Sequence, residues 1–245
     1  MGALLQLKEV TKAFGSLRVL DALDLDIDQG EIRGLIGPNG AGKTTLFNVI
    51  AGALRGDQGV ITLDGSEVTR LGCADRCRRG LARTFQVPKL FVGMTVLENA
   101  EVAALFGNPE HQSRSEAVAR ARWALDLAGI GELAGAKASV LTTGQRKMLE
   151  LARAIATGAK LLLLDEVMAG LNPTELQHAC DSLRALQATG FTILMVEHVM
   201  QALMSLSHRV SVLFNGKIIM TDVPERVACD PRVTEAYLGK SRGVA

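Results

Sequence analysis

The sequence predicts an α/β protein with a mostly parallel sheet as its core, an antiparallel β subdomain and an inserted helical subdomain. Three observations support this fold class. Residues 161–164 are four consecutive leucines, as expected for a strand buried on both faces of a parallel sheet. Residues 23–28 alternate apolar and acidic side chains, the period of a half-buried strand. Residues 96–131 are rich in Ala, Leu, Arg and Glu, which indicates helices.

The remaining elements of the first half follow in order. The alternating strand ends at Gly30, and Ile32–Ile36 forms the next short strand. A glycine-rich loop then leads into a helix over Lys43–Ala51. Turn residues on both sides enclose another short strand over residues 60–63.

After the helical segment, strands and helices alternate again. An amphipathic helix over residues 174–189, ended by a glycine, follows the leucine strand, and Thr192–Val196 is the next buried strand. Residues 210–214 and 217–220 form a hairpin around the favoured Asn-Gly turn. Residues 224–239 are expected to be helical.

The composition excludes several classes of protein. The chain has 245 residues, 48% of them hydrophobic and 22% charged, so it is not intrinsically disordered. Its 27 basic and 26 acidic residues give a net charge of +1, which argues against an electrostatic nucleic-acid binder. The apolar runs are shorter than the roughly 18–20 residues of a membrane-spanning helix. The four cysteines are expected to be reduced thiols in a cytosolic protein.

The strongest chemical signal is the segment GPNGAGKT at residues 37–44, which fits G-x-x-x-x-G-K-[ST] between a predicted strand and a predicted helix. Its glycines let the backbone approach phosphate oxygens, and its amides and the helix N-terminus supply positive potential. Lys43 adds an ammonium for the β- and γ-phosphates, and the Thr44 hydroxyl suits Mg²⁺. This segment predicts a P-loop NTPase core. The expected nucleotide-binding residues are Gly37, Pro38, Asn39, Gly40, Ala41, Gly42, Lys43, Thr44 and Thr45.

An acidic pair, Asp165 and Glu166, follows the leucine strand. At the end of a buried strand, both carboxylates would lie beside the phosphate loop. Asp165 could hold Mg²⁺ through water, and Glu166 could orient an attacking water or accept its proton. The pair alone is weak evidence because apolar strands often end in Asp, but together with the phosphate loop it predicts nucleotide hydrolysis.

A third segment, LTTGQ at residues 141–145, completes a family pattern. Together these motifs resemble the nucleotide-binding subunits of ABC transporters, in the same order along the chain. The resemblance implies an ATP-binding domain over residues 5–239, with a helical insert over about residues 96–155 and a C-terminal tail over residues 240–245. It also implies that ATP and Mg²⁺ are bound.

The LTTGQ segment resembles the ABC signature, L-S-G-G-Q, which one subunit uses to complete the ATP site of the other. Contacts in trans to ATP are therefore implied for Thr142, Thr143, Gly144 and Gln145. Thr142 keeps the hydroxyl of the usual Ser. Thr143 adds a Cβ where the family has Gly, and a β-branched residue adopts a positive φ only at a cost. We therefore expect Thr143 to affect ATP affinity and turnover.

Other positions match the family residue by residue. Gln86 resembles the glutamine that contacts Mg²⁺ and couples to the membrane partner, and His198 resembles the histidine that contacts the γ-phosphate. Phe14 stands where an aromatic ring stacks on adenine. Taken singly, Phe14 could equally be a core residue and His198 a structural histidine. The implied catalytic residues are Glu166, His198 and Gln86, and the implied Mg²⁺ ligands are Thr44, Gln86 and Asp165.

A narrower resemblance, in residues 85–91, 94–99, 169–175, 197–200 and 230–239, is to importer ATPases for branched-chain and other hydrophobic amino acids. It implies an ATP-hydrolysing motor subunit that dimerises with itself or a close relative at the cytoplasmic face of the bacterial inner membrane. The implied partners are transmembrane permease subunits and, indirectly, a periplasmic or extracellular substrate-binding protein, with no nucleic acid. ATPases for urea or other amide uptake, or for lipopolysaccharide export, share much of this pattern and remain alternatives.

Three other classes fit less well. An ABC ATPase acting on DNA or ribosomes generally carries tandem cassettes or long coiled coils. A P-loop kinase needs an acceptor site and a lid. A binding-only subunit is suggested by Thr143, but Lys43, Asp165, Glu166 and His198 favour turnover.

Two surface features have a structural and a functional interpretation. Leu90, Phe91 and Met94 are either ordinary core or the edge of a groove that receives a helix of a membrane subunit. A basic cluster before Gln86 is expected to be a solvated face rather than a contact to a membrane partner or to anionic lipid. This cluster consists of Arg76, Arg78, Arg79 and Arg83.

Overall fold

The computed structural model describes residues 2–107 and 113–238; the tail over residues 240–245 lies outside them. Within this part, the strands are β1 (Ala3–Phe14), β2 (Leu17–Asp28), β3 (Ile32–Ile36), β4 (Gln58–Leu63), β5 (Ser66–Glu67), β6 (Leu81–Arg83), β7 (Leu161–Asp165), β8 (Thr192–Val196), β9 (Arg209–Phe214) and β10 (Lys217–Asp222). The α-helices are α1 (Lys43–Ala51), α2 (Cys73–Arg78), α3 (Val96–Gly107), α4 (Arg114–Leu127), α5 (Thr143–Ala156), α6 (Pro173–Ala188), α7 (Met200–Leu206), α8 (Pro224–Cys229) and α9 (Pro231–Leu238).

The strands form two sheets, as the fold class predicted. The first is antiparallel with the order β2-β1-β4-β5, and the second has the order β10-β9-β3-β8-β7-β6. In the second sheet only the β9–β10 pair is antiparallel, so the sheet is mostly parallel. The predicted α/β class with an antiparallel part and added helices is confirmed.

The parallel sheet separates two hydrophobic clusters. Strand β7 shows why its sequence is continuously apolar: Leu162 and Leu164 belong to one cluster, whereas Leu161 and Leu163 belong to the other. All four leucines are buried. Because successive side chains of a strand point to opposite faces, a strand covered on both faces requires this pattern.

Helices α3, α4 and α5 contribute buried side chains to the hydrophobic cluster that contains Leu162. Helices α3, α4 and α5 contact one another, and α4 turns a row of alanines inward. Ala117, Ala121 and Ala124 are fully buried. Ser113 begins α4 with a capping box, in which its hydroxyl accepts the Glu116 amide hydrogen. The helical spacing of the alanines therefore marks the packed face of α4.

The region after β10 differs from the single helical segment that the sequence predicts. It forms two helices, α8 and α9, separated at Asp230, whose backbone is extended (φ −77°, ψ 124°). Pro231 follows directly, and the residue before a proline is sterically disfavoured from the α conformation. The proline therefore ends one helix and starts the next.

The basic cluster is only in part the solvated face that the sequence predicts: Arg78 and Arg79 are exposed, whereas Arg76 is buried and Arg83 is largely buried. The Arg76 guanidinium donates to the carbonyls of Val49 and Ile50, each at 2.7 Å, and to those of Leu71 and Thr69 at 3.0 and 3.1 Å. Val49 and Ile50 lie in the last turn of α1, and the Val49 carbonyl also accepts the Gly52 amide hydrogen at 3.2 Å. Arg76 therefore places a positive charge and additional donors at the C-terminal end of the helix.

We expect Arg76→Met to lower the free energy of unfolding by about 2–4 kcal/mol, because it removes a buried guanidinium that donates to four carbonyls. Urea denaturation followed by circular dichroism measures the change. The matched control is Arg79→Met, which removes an exposed guanidinium of the same cluster and should change stability by less than about 0.5 kcal/mol. Equal stability of the two variants would contradict this role for Arg76.

The topology brings the motif-bearing segments to one edge of the parallel sheet. Strands β3, β6, β7 and β8 run in the same direction, so their carboxyl ends lie together. In open α/β sheets ligands bind at this edge. No helix in the described ranges is long and apolar enough to cross a bilayer.

Candidate nucleotide site

The phosphate loop joins β3 to α1, and its glycines are required by its geometry. Gly40 and Gly42 have φ of +80° and +108°, in the left-handed region. A Cβ on Gly37 would lie 2.2 Å from the Leu213 carbonyl oxygen, so no other residue fits there without displacing the loop. Helix α1 begins at Lys43 without a side-chain cap, which leaves its first amides free to bind an anion.

The Lys43 ammonium lies over the loop. It donates to the carbonyl oxygens of Gly37 at 2.5 Å and of Pro38 at 3.0 Å. Burial lowers the pKa of Lys43, and the nearby Glu166 carboxylate opposes this shift. The ammonium is therefore held where phosphate oxygens would replace or supplement the loop carbonyls as its partners.

A cavity of about 350 Å³ surrounds the loop and brings several predicted residues together. Its lining residues are Val19, Asn39, Gly40, Ala41, Gly42, Lys43, Thr44, Thr45, Glu166 and His198. A neighbouring cavity of about 320 Å³ includes Gly37, Pro38 and Glu197 in its lining. Val19, at the start of the chain's second strand, carries no motif and was not predicted.

Glu166 contacts both of the other residues that were predicted to be catalytic, Gln86 and His198. The Gln86 side-chain amide donates to Glu166 Oε2 at 2.8 Å, and His198 Nε2 lies 2.9 Å from Glu166 Oε1. Glu166 itself has a left-handed backbone with φ of +53°. That conformation is uncommon for a residue with a side chain and is found preferentially at functional sites.

Asp165, the other carboxylate of the acidic pair, is held by contacts to strand β6 and to the residue that follows it. Its carboxylate accepts from Arg83 at 2.8 Å, and its amide donates to the Thr84 hydroxyl at 3.1 Å. Arg83 also donates to the Asn48 side chain on α1 at 2.5 Å. Arg83 thus ties α1 to the end of β7, a role that no sequence motif predicted.

The three residues predicted to bind Mg²⁺ have suitable side chains, but only Thr44 lines a loop cavity; Asp165 and Gln86 are absent from the linings of both. Thr44, Asp165 and Gln86 offer hydroxyl, carboxylate and amide oxygens, the ligand type that Mg²⁺ prefers. In the described residues no group of three or more His, Cys, Asp or Glu could hold a metal by itself.

Phe14 is not a core residue: it ends β1 and is half exposed. The Lys12 ammonium lies 5.5 Å from the centre of its ring. An exposed aromatic ring of this kind can stack on a planar base, as the resemblance implied. His198 is likewise exposed and lines the loop cavity, which excludes the interpretation as a buried structural histidine.

The signature segment begins α5. The Thr142 hydroxyl accepts the Gln145 amide hydrogen at 3.2 Å, and the Gln145 side-chain oxygen accepts the Thr142 amide hydrogen at 2.9 Å, which is a capping box. Thr142 and Thr143 are exposed, and the four signature residues are absent from the linings of both loop cavities. A Cβ on Gly144 would lie 2.6 Å from a Glu175 carboxylate oxygen.

The expectation of backbone strain at Thr143 is wrong. Thr143 is the first residue of α5 and does not have a positive φ. The capping box at Thr142 and Gln145 imposes helical geometry there, and a β-branched residue adopts this geometry without the left-handed penalty.

We therefore expect Thr143→Gly to leave kcat and KM for ATP within about twofold, because there is no strain to relieve. The substitution should lower the free energy of unfolding by at most about 1 kcal/mol through helix propensity. Steady-state kinetics and urea denaturation measure both effects. The control Thr174→Gly alters an exposed threonine in the first turn of α6. A several-fold rise in turnover with Thr143→Gly alone would contradict this expectation.

Glu197, beside His198, is a buried carboxyl group that the sequence analysis did not single out. Burial raises its pKa to about 7, which hydrogen bonds from the amides of Met168 and Val167 partly oppose. The Met168 amide lies 2.9 Å from Glu197 Oε1. Glu197 thereby holds the turn after β7 against the end of β8.

Exposed apolar side chains follow Gln86. Phe91 and Met94 are exposed and are therefore not core residues, whereas Leu90 is half buried against the core. Phe85, Val87 and Val92 are exposed as well. A neighbouring cavity of about 250 Å³ is lined in part by Phe85, Lys89, Glu150 and Arg153.

The fold and the site define a class: a P-loop ATPase with an acidic pair at the carboxyl edge of a parallel sheet. Residues 20–169 match the ABC transporter family. The chain is 36% identical to the high-affinity branched-chain amino acid transport ATP-binding protein BraF of Pseudomonas aeruginosa, over 97% of this chain and 98% of BraF. The chain therefore belongs to the ABC transporter family, and the predicted resemblance is confirmed.

Solved structures agree with this assignment. The ADP conformation of MJ1267, an ATP-binding cassette of an ABC transporter, superimposes with a TM-score of 0.88 at 31% identity, covering 98% of this chain and all of MJ1267. The dimeric post-hydrolysis state of the cassette MJ0796 bound to ADP and Pi has a TM-score of 0.79 at 25% identity, covering 90% of this chain and 98% of MJ0796.

Proposed function

We propose that this chain is the ATP-hydrolysing motor subunit of an importer for branched-chain or other hydrophobic amino acids. The proposal of ATP hydrolysis rests on the contacts of Glu166 with both Gln86 and His198 beside the phosphate loop. The cargo rests on relatives such as BraF, whose name specifies branched-chain amino acid transport.

The phosphate loop and Lys43 would bind the phosphates of ATP, and Phe14 would stack on the adenine. Glu166 would orient the attacking water and accept its proton, and His198 would contact the γ-phosphate. Gln86 would position the Glu166 carboxylate by donating its side-chain amide to it. Thr44, Asp165 and Gln86 would hold Mg²⁺, which when bound stabilises negative charge on the phosphates.

We further propose that two copies, or one copy and a close relative, enclose ATP between them. The signature residues Thr142, Thr143, Gly144 and Gln145 would then contact the nucleotide held by the partner. The exposed positions of Thr142 and Thr143 at the start of α5 and the dimeric arrangement of MJ0796 support this. Each ATP site would thus have two half-sites, the phosphate loop of one chain and the signature segment of the other. The half-sites would close on ATP and separate after its hydrolysis.

The exposed apolar segment after Gln86 is proposed as the surface that receives permease subunits. Phe91 and Met94 offer apolar contact, and Gln86 links this segment to Glu166. We propose that the chain works at the cytoplasmic face of the bacterial inner membrane. A substrate-binding protein would act indirectly through the permease, and no nucleic acid takes part.

Co-purification with its transmembrane permease subunits, followed by an ATPase assay, tests the proposal. Leucine, isoleucine or valine, added with the binding protein, should stimulate phosphate release several-fold. Stimulation by urea alone would assign the chain to amide uptake instead, and stimulation by lipopolysaccharide would assign it to export. Absence of ATP hydrolysis in the assembled complex would contradict the motor function itself.

A further inference from the structure

Lys147 makes two buried contacts to the turn that carries the catalytic carboxylate. It lies in the second turn of α5 and is only 8% exposed. Its ammonium donates to the main-chain carbonyl of Glu166 at 2.9 Å and to that of Ala169 at 2.5 Å. One buried cation therefore bridges the first and last carbonyls of the turn of residues 166–169.

This turn needs support because Glu166 has a left-handed backbone, with φ of +53°. Such a conformation persists only where surrounding contacts fix it. The Glu166 amide donates to the Val196 carbonyl at 2.9 Å, and the Met168 amide donates to Glu197. Those bonds hold the N–H groups of the turn toward β8, and Lys147 holds its carbonyl groups toward α5.

The burial of the Lys147 ammonium indicates that its two hydrogen bonds have a specific role. Burying an ammonium is costly unless it is paired. Desolvation lowers the pKa of Lys147, and the carboxylates of Glu197, Glu166 and Glu150 oppose that shift. The ammonium nonetheless bonds to two carbonyls of a single turn, an arrangement that fixes the backbone conformation rather than neutralising a charge.

We propose that Lys147 is a positioning residue for ATP hydrolysis, holding the backbone of residues 166–169 so that the Glu166 carboxylate stays between Gln86 and His198. The inference rests on the proposed hydrolytic function of Glu166. The same helix begins with the signature segment, so Lys147 links that helix directly to the turn of residues 166–169.

The test compares Lys147→Met and Lys147→Arg with wild type and with Lys160→Met, a control that removes an exposed lysine paired with Asp64. Lys147→Met should lower kcat by about 10- to 100-fold, as expected for a displaced catalytic group. Its dissociation constant for ATP should stay within about twofold of wild type. Lys147→Arg, which can still donate to both carbonyls, should recover at least about a third of kcat.

Three results would overturn the inference: a kcat of Lys147→Met within about twofold of wild type, a loss of ATP affinity in proportion to kcat, or no recovery with arginine. If Lys147→Met is unfolded by circular dichroism, Lys147→Gln replaces it, since one amide donor remains. A reduced kcat with unchanged ATP affinity then supports the role, and wild-type kcat contradicts it.

The same assay separates this inference from the proposed function. Wild-type protein and Glu166→Gln are measured in parallel. If wild type does not hydrolyse ATP, or Glu166→Gln hydrolyses it equally fast, the hydrolytic function has failed. If wild type is active, Glu166→Gln is inactive and Lys147→Met is as fast as wild type, only the positioning role has failed.

Discussion

Replacing Glu166 by Gln should lower kcat for ATP hydrolysis by about 10²- to 10⁴-fold, the usual contribution of a general base. Glutamine has nearly the same shape as glutamate, so contacts to Gln86 and His198 can persist, but its amide cannot accept a proton from water. Affinity for ATP should stay within about twofold, because the phosphates are held by the loop and Lys43. Phosphate release and calorimetric titration measure the two quantities.

The matched control for this substitution is Glu225→Gln, which changes an exposed carboxylate in α8, outside the nucleotide site. It should hydrolyse ATP at the wild-type rate. A Glu166→Gln protein that hydrolyses ATP within a few-fold of wild type would show that another group activates the water.

Replacing Lys43 by Ala should raise the dissociation constant for ATP by about 10- to 100-fold, the equivalent of losing a charged hydrogen bond worth roughly 1.5–3 kcal/mol. The fold should be retained, since the ammonium donates to the carbonyls of Gly37 and Pro38, which border an open cavity. Calorimetric titration with ATP measures the affinity. Lys8→Ala, an exposed lysine on β1, is the control.

An unchanged ATP affinity of the Lys43→Ala protein would contradict the assignment of residues 37–44 as the phosphate site. Loss of the fold would be visible by circular dichroism, which separates a binding defect from unfolding. The Lys8→Ala control should bind ATP like wild type.

The parts of the fold that depend on local sequence were predictable. The strands Ile32–Ile36 and Thr192–Val196 and the helix Lys43–Ala51 have the predicted bounds. Each has a glycine within two residues of at least one end, so neighbours in sequence help to decide its limits. The phosphate loop was predictable for the same reason, because its glycines, its lysine and its flanking elements are contiguous.

The contacts that tie the site together depend on distant residues and were not predictable. Arg76 contacts carbonyls 26 and 27 residues away, and Arg83 joins Asn48 to Asp165 across 35 and 82 residues. Nothing in the pattern of one segment identifies its partner in another. Lys147 was missed because its role lies in bonds to backbone carbonyls, and any segment of the chain offers these.

The error at Thr143 has a different origin. The family pattern has Gly at this position, and the expectation of a positive φ followed from that residue type alone. The capping box formed by Thr142 and Gln145 shows that the backbone there is the start of a helix. A residue type that is common in a family indicates a conformation only where the surrounding hydrogen bonds require it.

Light scattering of the Glu166→Gln protein tests most directly whether paired chains enclose ATP. With Mg-ATP, hydrolysis is blocked and the molar mass should be twice the 26.1 kDa of one chain. With ADP it should return to 26.1 kDa, because the γ-phosphate that joins the two half-sites is missing. Protein that stays monomeric with ATP bound, both alone and with its membrane subunits, would contradict the account.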